Sequence, residues 1–277
     1  MSASPAIARS VAELRAAVSG WRRAGDRIGL VPTMGALHEG HLALAAALRQ
    51  AGADRVLFSI FVNPTQFGPN EDFSRYPRRE AEDLARLAAI GADLAYLPTV
   101  GEIYPEGFAF SIVPSSPIVA DLEAAVRPGH FAGVATVVAK LLIQAAPDLA
   151  AFGEKDYQQL LLVRRLVRDL DLPVGILPVP TVRDRDGLAL SSRNAYLTPA
   201  QLAVARRLNR ILAELAADPS QIAAGPDRLR DAGFDAVDYL VLRDAETLAE
   251  PAPGRPRRLI AAVRLGATRL LDNMPVP

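Results

Sequence analysis

Val31-Pro32-Thr33-Met34-Gly35-Ala36-Leu37-His38-Glu39-Gly40-His41-Leu42 decides how this chain of 277 residues is read. It follows the apolar run Ile28-Gly29-Leu30-Val31 and opens into Leu42-Ala43-Leu44-Ala45-Ala46-Ala47-Leu48. The pattern predicts a strand over 27–32, a turn, and a helix to about residue 51. Backbone N–H groups and the positive end of the helix dipole converge at such a junction, so an anion is the natural guest. Gly35 and Gly40 let the main chain approach a ligand closely. His38 and His41 share one face of the first helical turn, and they are two of the chain's three histidines. Imidazolium at this point can bind phosphate oxygens and give a proton to a leaving group. Zinc fits poorly. No third ligand is near, the chain has no cysteine, and His-Glu-Gly-His is one residue short of the His-Glu-x-x-His spacing.

Outward from this turn, strands and helices alternate. An amphipathic helix is expected over 7–24, from the spacing of Ile7, Val11, Leu14, Val18 and Trp21. The continuous apolar run 55–62 suits a buried parallel strand, and Asn63-Pro64-Thr65-Gln66-Phe67-Gly68-Pro69-Asn70 a loop. Further helices are expected over 78–90, 130–146 and 156–170, with strands over 93–98, 108–113, 149–152 and 173–180. This alternation predicts a Rossmann-like parallel sheet with ligands at the C-terminal ends of its strands. After about residue 183 the character changes. Helices over 198–217 and 219–231 precede three short strands over 236–242, 258–263 and 268–271, a small α+β unit. The expected division is a Rossmann-like domain at 1–182 and a smaller lid domain at 183–277.

Composition narrows the function classes. Basic and acidic residues number 31 each, so net charge is zero and no basic run favours nucleic acid. The absence of cysteine excludes thiolate chemistry and fits a cytoplasmic protein. Met1-Ser2-Ala3-Ser4-Pro5 lacks the pattern of a signal peptide, and the apolar run 134–146 is too short to span a bilayer. Only two of the basic residues are lysine, Lys140 and Lys155. Where arginine is otherwise preferred, a retained lysine points to a need for a compact ammonium.

Three more strings carry chemistry. Phe152-Gly153-Glu154-Lys155-Asp156-Tyr157-Gln158-Gln159 puts a lysine at a strand-to-helix junction, where it can neutralise phosphate charge. Leu188-Ala189-Leu190-Ser191-Ser192-Arg193-Asn194 offers two hydroxyls and a guanidinium fork able to wrap phosphate oxygens. In Ile60-Phe61-Val62-Asn63-Pro64-Thr65-Gln66-Phe67 the uncharged amide of Gln66 can hold a carboxylate without quenching it as a nucleophile. Each string read by itself also fits an ordinary cap or solvated loop.

Together they carry a resemblance. The His-x-Gly-His turn after a first strand resembles the nucleotidylyltransferase superfamily. Pro-Thr-Met-Gly-Ala-Leu-His-Glu-Gly-His, Gly-Glu-Lys-Asp and Leu-Ser-Ser-Arg-Asn resemble the pantoate–β-alanine ligase (pantothenate synthetase) family. Arg-Pro-Gly-His-Phe-Ala-Gly-Val around His130 and the tail Val263-Arg264-Leu265-Gly266-Ala267-Thr268-Arg269-Leu270-Leu271-Asp272-Asn273 are also family-like. Thr65 departs from the pattern, since methionine is common at that position.

The resemblance implies condensation of pantoate with β-alanine through a pantoyl adenylate, with ATP as co-substrate, Mg²⁺ on its oxygens, and a homodimer. It implies catalytic roles for His38, His41, Lys155, Ser191, Ser192 and Arg193, with His41 the preferred proton donor. ATP contacts are implied along Met34, Gly35, Ala36, Leu37, His38, Glu39, Gly40 and His41. Others are implied at Gly153, Glu154, Lys155, Asp156, Val182, Leu190, Ser191, Ser192 and Arg193. Gln66 and Gln159 would orient pantoate, and His130 would order its loop. Glu82 and Asp83 are candidates for anchoring metal-bound water. The Leu-Ser-Ser-Arg-Asn loop would close over the triphosphate from the second domain, as Lys-Met-Ser-Lys-Ser does in related adenylating enzymes. Another small-molecule nucleotidylyltransferase is the nearest alternative and would not need the two glutamines. A regulatory nucleotide binder would not need to keep His41, Lys155 and Arg193.

Overall fold

The computed structural model describes residues 4–69 and 71–277. Asn70 of the expected loop and the first three residues of the N-terminal reading lie outside them. Six parallel strands form the first sheet: β1 (Ala6–Ala8), β2 (Ile28–Thr33), β3 (Arg55–Ile60), β4 (Leu94–Tyr96), β5 (Leu149–Gly153) and β6 (Gly175–Val179). Their spatial order is β1-β4-β3-β2-β5-β6. From β2 the chain steps one way to β3, while β5 lies on its other side. The order therefore reverses between β2 and β5, where a crevice opens at the strands' carboxyl ends. The two strands that deliver the histidine turn and the lysine turn are thus neighbours.

Alternating side chains of the strands feed two cores. Leu30 and Leu57 face α1 (Val11–Ala24), while Val31, Val56 and Phe58 face α2 (Glu39–Gln50) and α3 (Glu80–Ala89). Short helices α4 (Val100–Ile103) and α5 (Glu123–Val126) precede α6 (His130–Ala145) and α7 (Tyr157–Asp169), which lie on the α1 side. Helix α6 is apolar nearly all round because it is buried nearly all round. The remaining chain forms α8 (Pro199–Ala205), α9 (Arg207–Ala217), α10 (Gly225–Asp231) and an antiparallel sheet of β7 (Ala236–Asp244), β8 (Arg257–Leu265) and β9 (Thr268–Val276). It has its own core, which includes Leu208, Leu212, Leu215, Leu259 and Val263. The α/β class with a second, smaller α+β unit is as the sequence predicts.

Several elements differ from expectation. The helix expected over 7–24 begins only at Val11, because Ser10 and Glu13 form a capping box there. Ile7 instead pairs with Ala95 at the sheet edge. The strand expected over 108–113 does not form. That segment lies along α6, with Ile112 N–H on Thr136 Oγ1 at 2.9 Å and Lys140 Nζ 4.7 Å from the Phe108 ring centre. The helix expected over 198–217 breaks at Arg206, and the one over 219–231 starts as a 3₁₀ segment, Pro219–Ala224. The last three strands are longer than their apolar runs, since hairpin pairing continues through polar residues. Among the described residues no helix is long and apolar enough to cross a membrane.

Candidate active site

The carboxyl ends of β2, β3 and β5 open on a cleft of about 290 Å³, roofed by residues 180–194. Its first wall is the histidine turn. Gly35 (φ 83°) and Ala36 (φ 50°) take left-handed backbone, and the Asp83 carboxylate reaches up from α3 to brace them. Its oxygens accept from Ala36 N–H at 3.0 Å and Leu37 N–H at 2.7 Å. Burial pushes the Asp83 carboxyl up, and these two bonds work against that rise. Asp83 is thus committed to the turn and not to metal-bound water, while Glu82 is exposed beside Arg79.

The two histidines cap α2 reciprocally. His38 Nδ1 accepts from Gly40 N–H and His41 Nδ1 accepts from His38 N–H, both at 3.2 Å. The rings stack with centres 4.0 Å apart. A Cβ on residue 40 would lie 2.9 Å from the His38 ring, which is why glycine stands between them. Because both Nδ1 atoms accept, the neutral rings carry their proton on Nε2. Burial, then the nearby Lys155 charge, lowers His38 to about 4; burial, then His38, lowers His41 to about 3. The sequence expectation of imidazolium is therefore not met in this structure, and the rings are neutral N–H donors.

The opposite wall is the 3₁₀ turn Pro64–Gln66 after β3. Asn63, which sequence reasoning passed over, is its hub. Its Nδ2 donates to Gln66 Oε1 at 3.0 Å and to Gly133 O at 3.3 Å, while its Oδ1 accepts from Thr65 Oγ1 at 2.9 Å and Tyr104 OH at 2.8 Å. Asn63-Pro64 after a buried strand was the available signal, as a side chain placed to cap a turn. Thr65 faces away from Gln66 into a second hollow beside Tyr104. His130 lines the cleft and braces this turn. Its ring accepts at Nε2 from Arg127 (3.0 Å) and donates from Nδ1 to Gln66 O (2.9 Å), while Arg127 clasps Glu71 with two bonds of 2.6 Å. Burial, then Arg127, lowers it to about 4.

Lys155 and Asp156 close the cleft from the end of β5, with Lys155 Nζ 3.3 Å from Asp156 Oδ1. Burial would raise Asp156, but the Lys155 charge and hydrogen bond leave its carboxyl below the ordinary value. Gln159 lines the cleft from the first turn of α7, and Val182 and Leu190 from the roof. Ser191 caps the next turn by accepting from Arg193 N–H at 3.3 Å, and Ser192 Oγ lies 3.0 Å from Tyr76 OH. The Arg193 guanidinium clasps Asp72 with bonds of 3.0 and 2.9 Å. Asp72 and Tyr76, 121 and 116 positions from their partners, had no local signal.

Some expected ATP contacts do not line the cleft. The Leu37 side chain is core, Glu39 is exposed and pairs with Arg86, and Glu154 pairs with Arg258. Gly35 and Ala36 shape the turn from behind. The other expected residues all meet in the cleft. Among the described residues no group of three His, Cys, Asp or Glu side chains is arranged to hold a metal.

The neutral histidines make stability depend on pH. Their native values lie below the ordinary 6.5, so on acidification the unfolded chain takes up protons first. Stability is complete above about pH 7 and falls between 6.5 and 4, by roughly 1.4 kcal/mol per pH unit per histidine at most. Urea midpoints at pH 7.5, 6.0 and 5.0 should fall progressively, and an unchanged midpoint at pH 5.0 would contradict neutral burial.

A family model described as pantoate-beta-alanine ligase matches residues 6–275. A pantothenate synthetase of Mesorhizobium japonicum is 57% identical over 280 residues, covering 99% of this chain and 98% of the relative. One of Paramagnetospirillum magneticum is 56% identical over 286 residues, covering 100% and 99%. The crystal structure of the pantothenate synthetase from Thermus thermophilus superposes with a TM-score of 0.90 at 47% identity, covering 98% of this chain and 99% of that one. That of a Francisella tularensis pantoate-beta-alanine ligase, complexed with beta-gamma ATP and beta-alanine, gives 0.86 at 35% identity, covering 98% of each. The matches run through both sheets and all the strings that build the cleft, and the chain belongs to the pantoate–β-alanine ligase family.

Proposed function

We propose that this cleft joins pantoate to β-alanine, cleaving ATP to AMP and pyrophosphate by way of pantoyl adenylate. The observation that carries the reading is the meeting of the two phosphate-suited turns, at the ends of β2 and β5, opposite the glutamine turn after β3. Gln66 and Gln159 hold pantoate with its carboxylate toward the α-phosphorus. A carboxylate oxygen forms a bond to that phosphorus as the bond to pyrophosphate breaks. The chain's contribution is positioning and charge stabilisation. His38 and His41 offer Nε2–H hydrogen bonds to the phosphate oxygens, His41 foremost, while Lys155 and Arg193 supply positive charge. Ser191 and Ser192 bring hydroxyls, and Met34, Gly40, Gly153, Asp156, Val182 and Leu190 border the nucleotide. The β-alanine amine then attacks the acyl carbon, AMP departs, and the amine's proton passes to solvent.

Mg²⁺ would be held chiefly by the substrate's own phosphates, since among the described residues no three His, Cys, Asp or Glu side chains are grouped to hold a metal. It would supply part of the charge neutralisation, and no side chain of the chain is assigned to it.

Two half-reactions give the test. Pyrophosphate should be released from ATP and pantoate alone, and AMP with pantothenate only after β-alanine is added. Pyrophosphate without β-alanine-dependent AMP would leave a bare adenylyltransferase.

Three wider features belong to the same reading. The division falls at 182/183, and residues 183–277 act as the lid, supported by a core that begins with Leu188. The reaction is placed in the cytoplasm. The chain forms a homodimer through residues 108–113, where Phe110 is 85% and Val113 71% exposed. Light scattering should give twice the chain mass for the wild type and the monomer mass for Phe110→Asp. A wild-type monomer would sink the dimer.

A further inference from the structure

The tail of the chain reaches back to the lysine turn. Asn273 on β9 is 3% exposed, and its Nδ2 donates to two main-chain oxygens, those of Glu154 and Lys155, each at 2.9 Å. Its Oδ1 is buried with no partner among the described residues. An amide left half-satisfied in a protein interior calls for an explanation, and here its two donors are both spent on one turn. Next to it, Asp272 accepts from Asn273 N–H at 2.8 Å and clasps Arg183 with bonds of 2.7 and 2.8 Å, fixing β9 to the segment that leaves the first sheet. On β8, Arg258 pairs with the Glu154 carboxylate at 2.9 Å and lies 3.8 Å over the Tyr157 ring. The 3₁₀ turn Glu154–Asp156 and the start of α7 have no side-chain cap of their own. What pins this turn comes from 104 to 119 positions away.

We propose that Asn273 is a positioning residue for adenylation, holding the Lys155 turn in place from the C-terminal sheet, with Arg258 as a second brace. The small domain then does more than cover the cleft. Its docking sets where the Lys155 ammonium stands, so a loosened sheet misplaces charge at the reacting phosphate. Misplacement on the scale of 1 Å can cost on the order of a hundredfold in rate. The proposal rests on the reading of Lys155 as a charge that meets the triphosphate.

The test is a double-mutant cycle read by single-turnover pyrophosphate release from ATP and pantoate. Asn273→Ala should slow release at least tenfold while pantoate affinity changes less than twofold. In a Lys155→Ala background the same substitution should slow release less than twofold. Equal slowing in both backgrounds overturns the positioning role while leaving Lys155 intact. Wild-type release by Lys155→Ala alone overturns the reading of Lys155, and the proposal with it. Val263→Ala, a cavity in the same small core, serves as a control that lowers the thermal midpoint without coupling to Lys155. If Asn273→Ala does not fold, Arg258→Met enters the same cycle, and additivity there overturns the proposal equally.

Discussion

Lys155→Met is expected to slow pyrophosphate release from ATP and pantoate by about 10²–10³-fold, the usual loss when one preorganised charge or donor is removed. The charge inventory of the cleft makes the effect large. His38 and His41 are neutral donors, lowered to about 4 and about 3. Arg193 is already engaged by Asp72. Among the described residues the Lys155 ammonium, 20% exposed, has Asp156 as its one ion-pair partner. The other lysine of the chain, Lys140, lies over Phe108 on the outer side of α6 and should tolerate methionine. Lys155→Arg should not restore the rate, since a planar fork cannot occupy the place of a compact ammonium. Pantoate affinity should change little, and added pantoyl adenylate should still react with β-alanine. Release within tenfold of wild type would remove Lys155 from the chemistry.

Gly133→Ala should have the next largest effect, although it adds a single methyl group outside the cleft. A Cβ at Gly133 would lie 2.3 Å from Thr65 O and 2.8 Å from Gln66 N, both backbone atoms. Either α6 or the Pro64–Gln66 turn must move, and Gln66 moves with the turn. Overpacking of this kind costs about 1–3 kcal/mol or more. The thermal midpoint should drop by several degrees, and the KM for pantoate should rise at least tenfold. Gly20→Ala is the matched control. Among the described residues nothing beyond its chain neighbours and its own helix backbone lies within 4 Å of its Cβ position on α1, so that change should be neutral or stabilising by about 1 kcal/mol. A Gly133→Ala enzyme with unchanged pantoate KM would show that the turn is not held by this contact.

The site was legible where chemistry and local structure coincide in a short string. The histidine turn, the lysine turn and the Ser-Ser-Arg loop each gather charged or hydroxyl side chains in a short string, so residue types made them candidates for phosphate and the family resemblance singled them out. The convergence of the histidine, glutamine and lysine turns followed from strand–helix alternation, which places each at the carboxyl end of a parallel strand, whereas the Ser-Ser-Arg loop arrives from the segment after β6. The protonation of the histidines was not legible. It depends on burial and on Lys155, which is distant from His38 only along the chain (155 against 38).

Hydrophobic periodicity by itself determined the α/β class, the parallel sheet, its buried strands and the change of character near residue 183. It misjudged Ile7 and the segment 108–113, because an apolar residue at the right spacing does not reveal which sheet edge is free to receive it. That is settled by pairing between distant strands, and β1 reaches β4 across nearly 90 residues. Asp83 beneath the histidine turn, Asp72 on Arg193, His130 on Gln66 and Asn273 on Lys155 belong to the same class. Each is a polar contact between segments far apart in sequence, formed only once the chain has folded around it. No local propensity encodes such a partner, and only the tertiary structure decided which side chains hold the reactive ones in place.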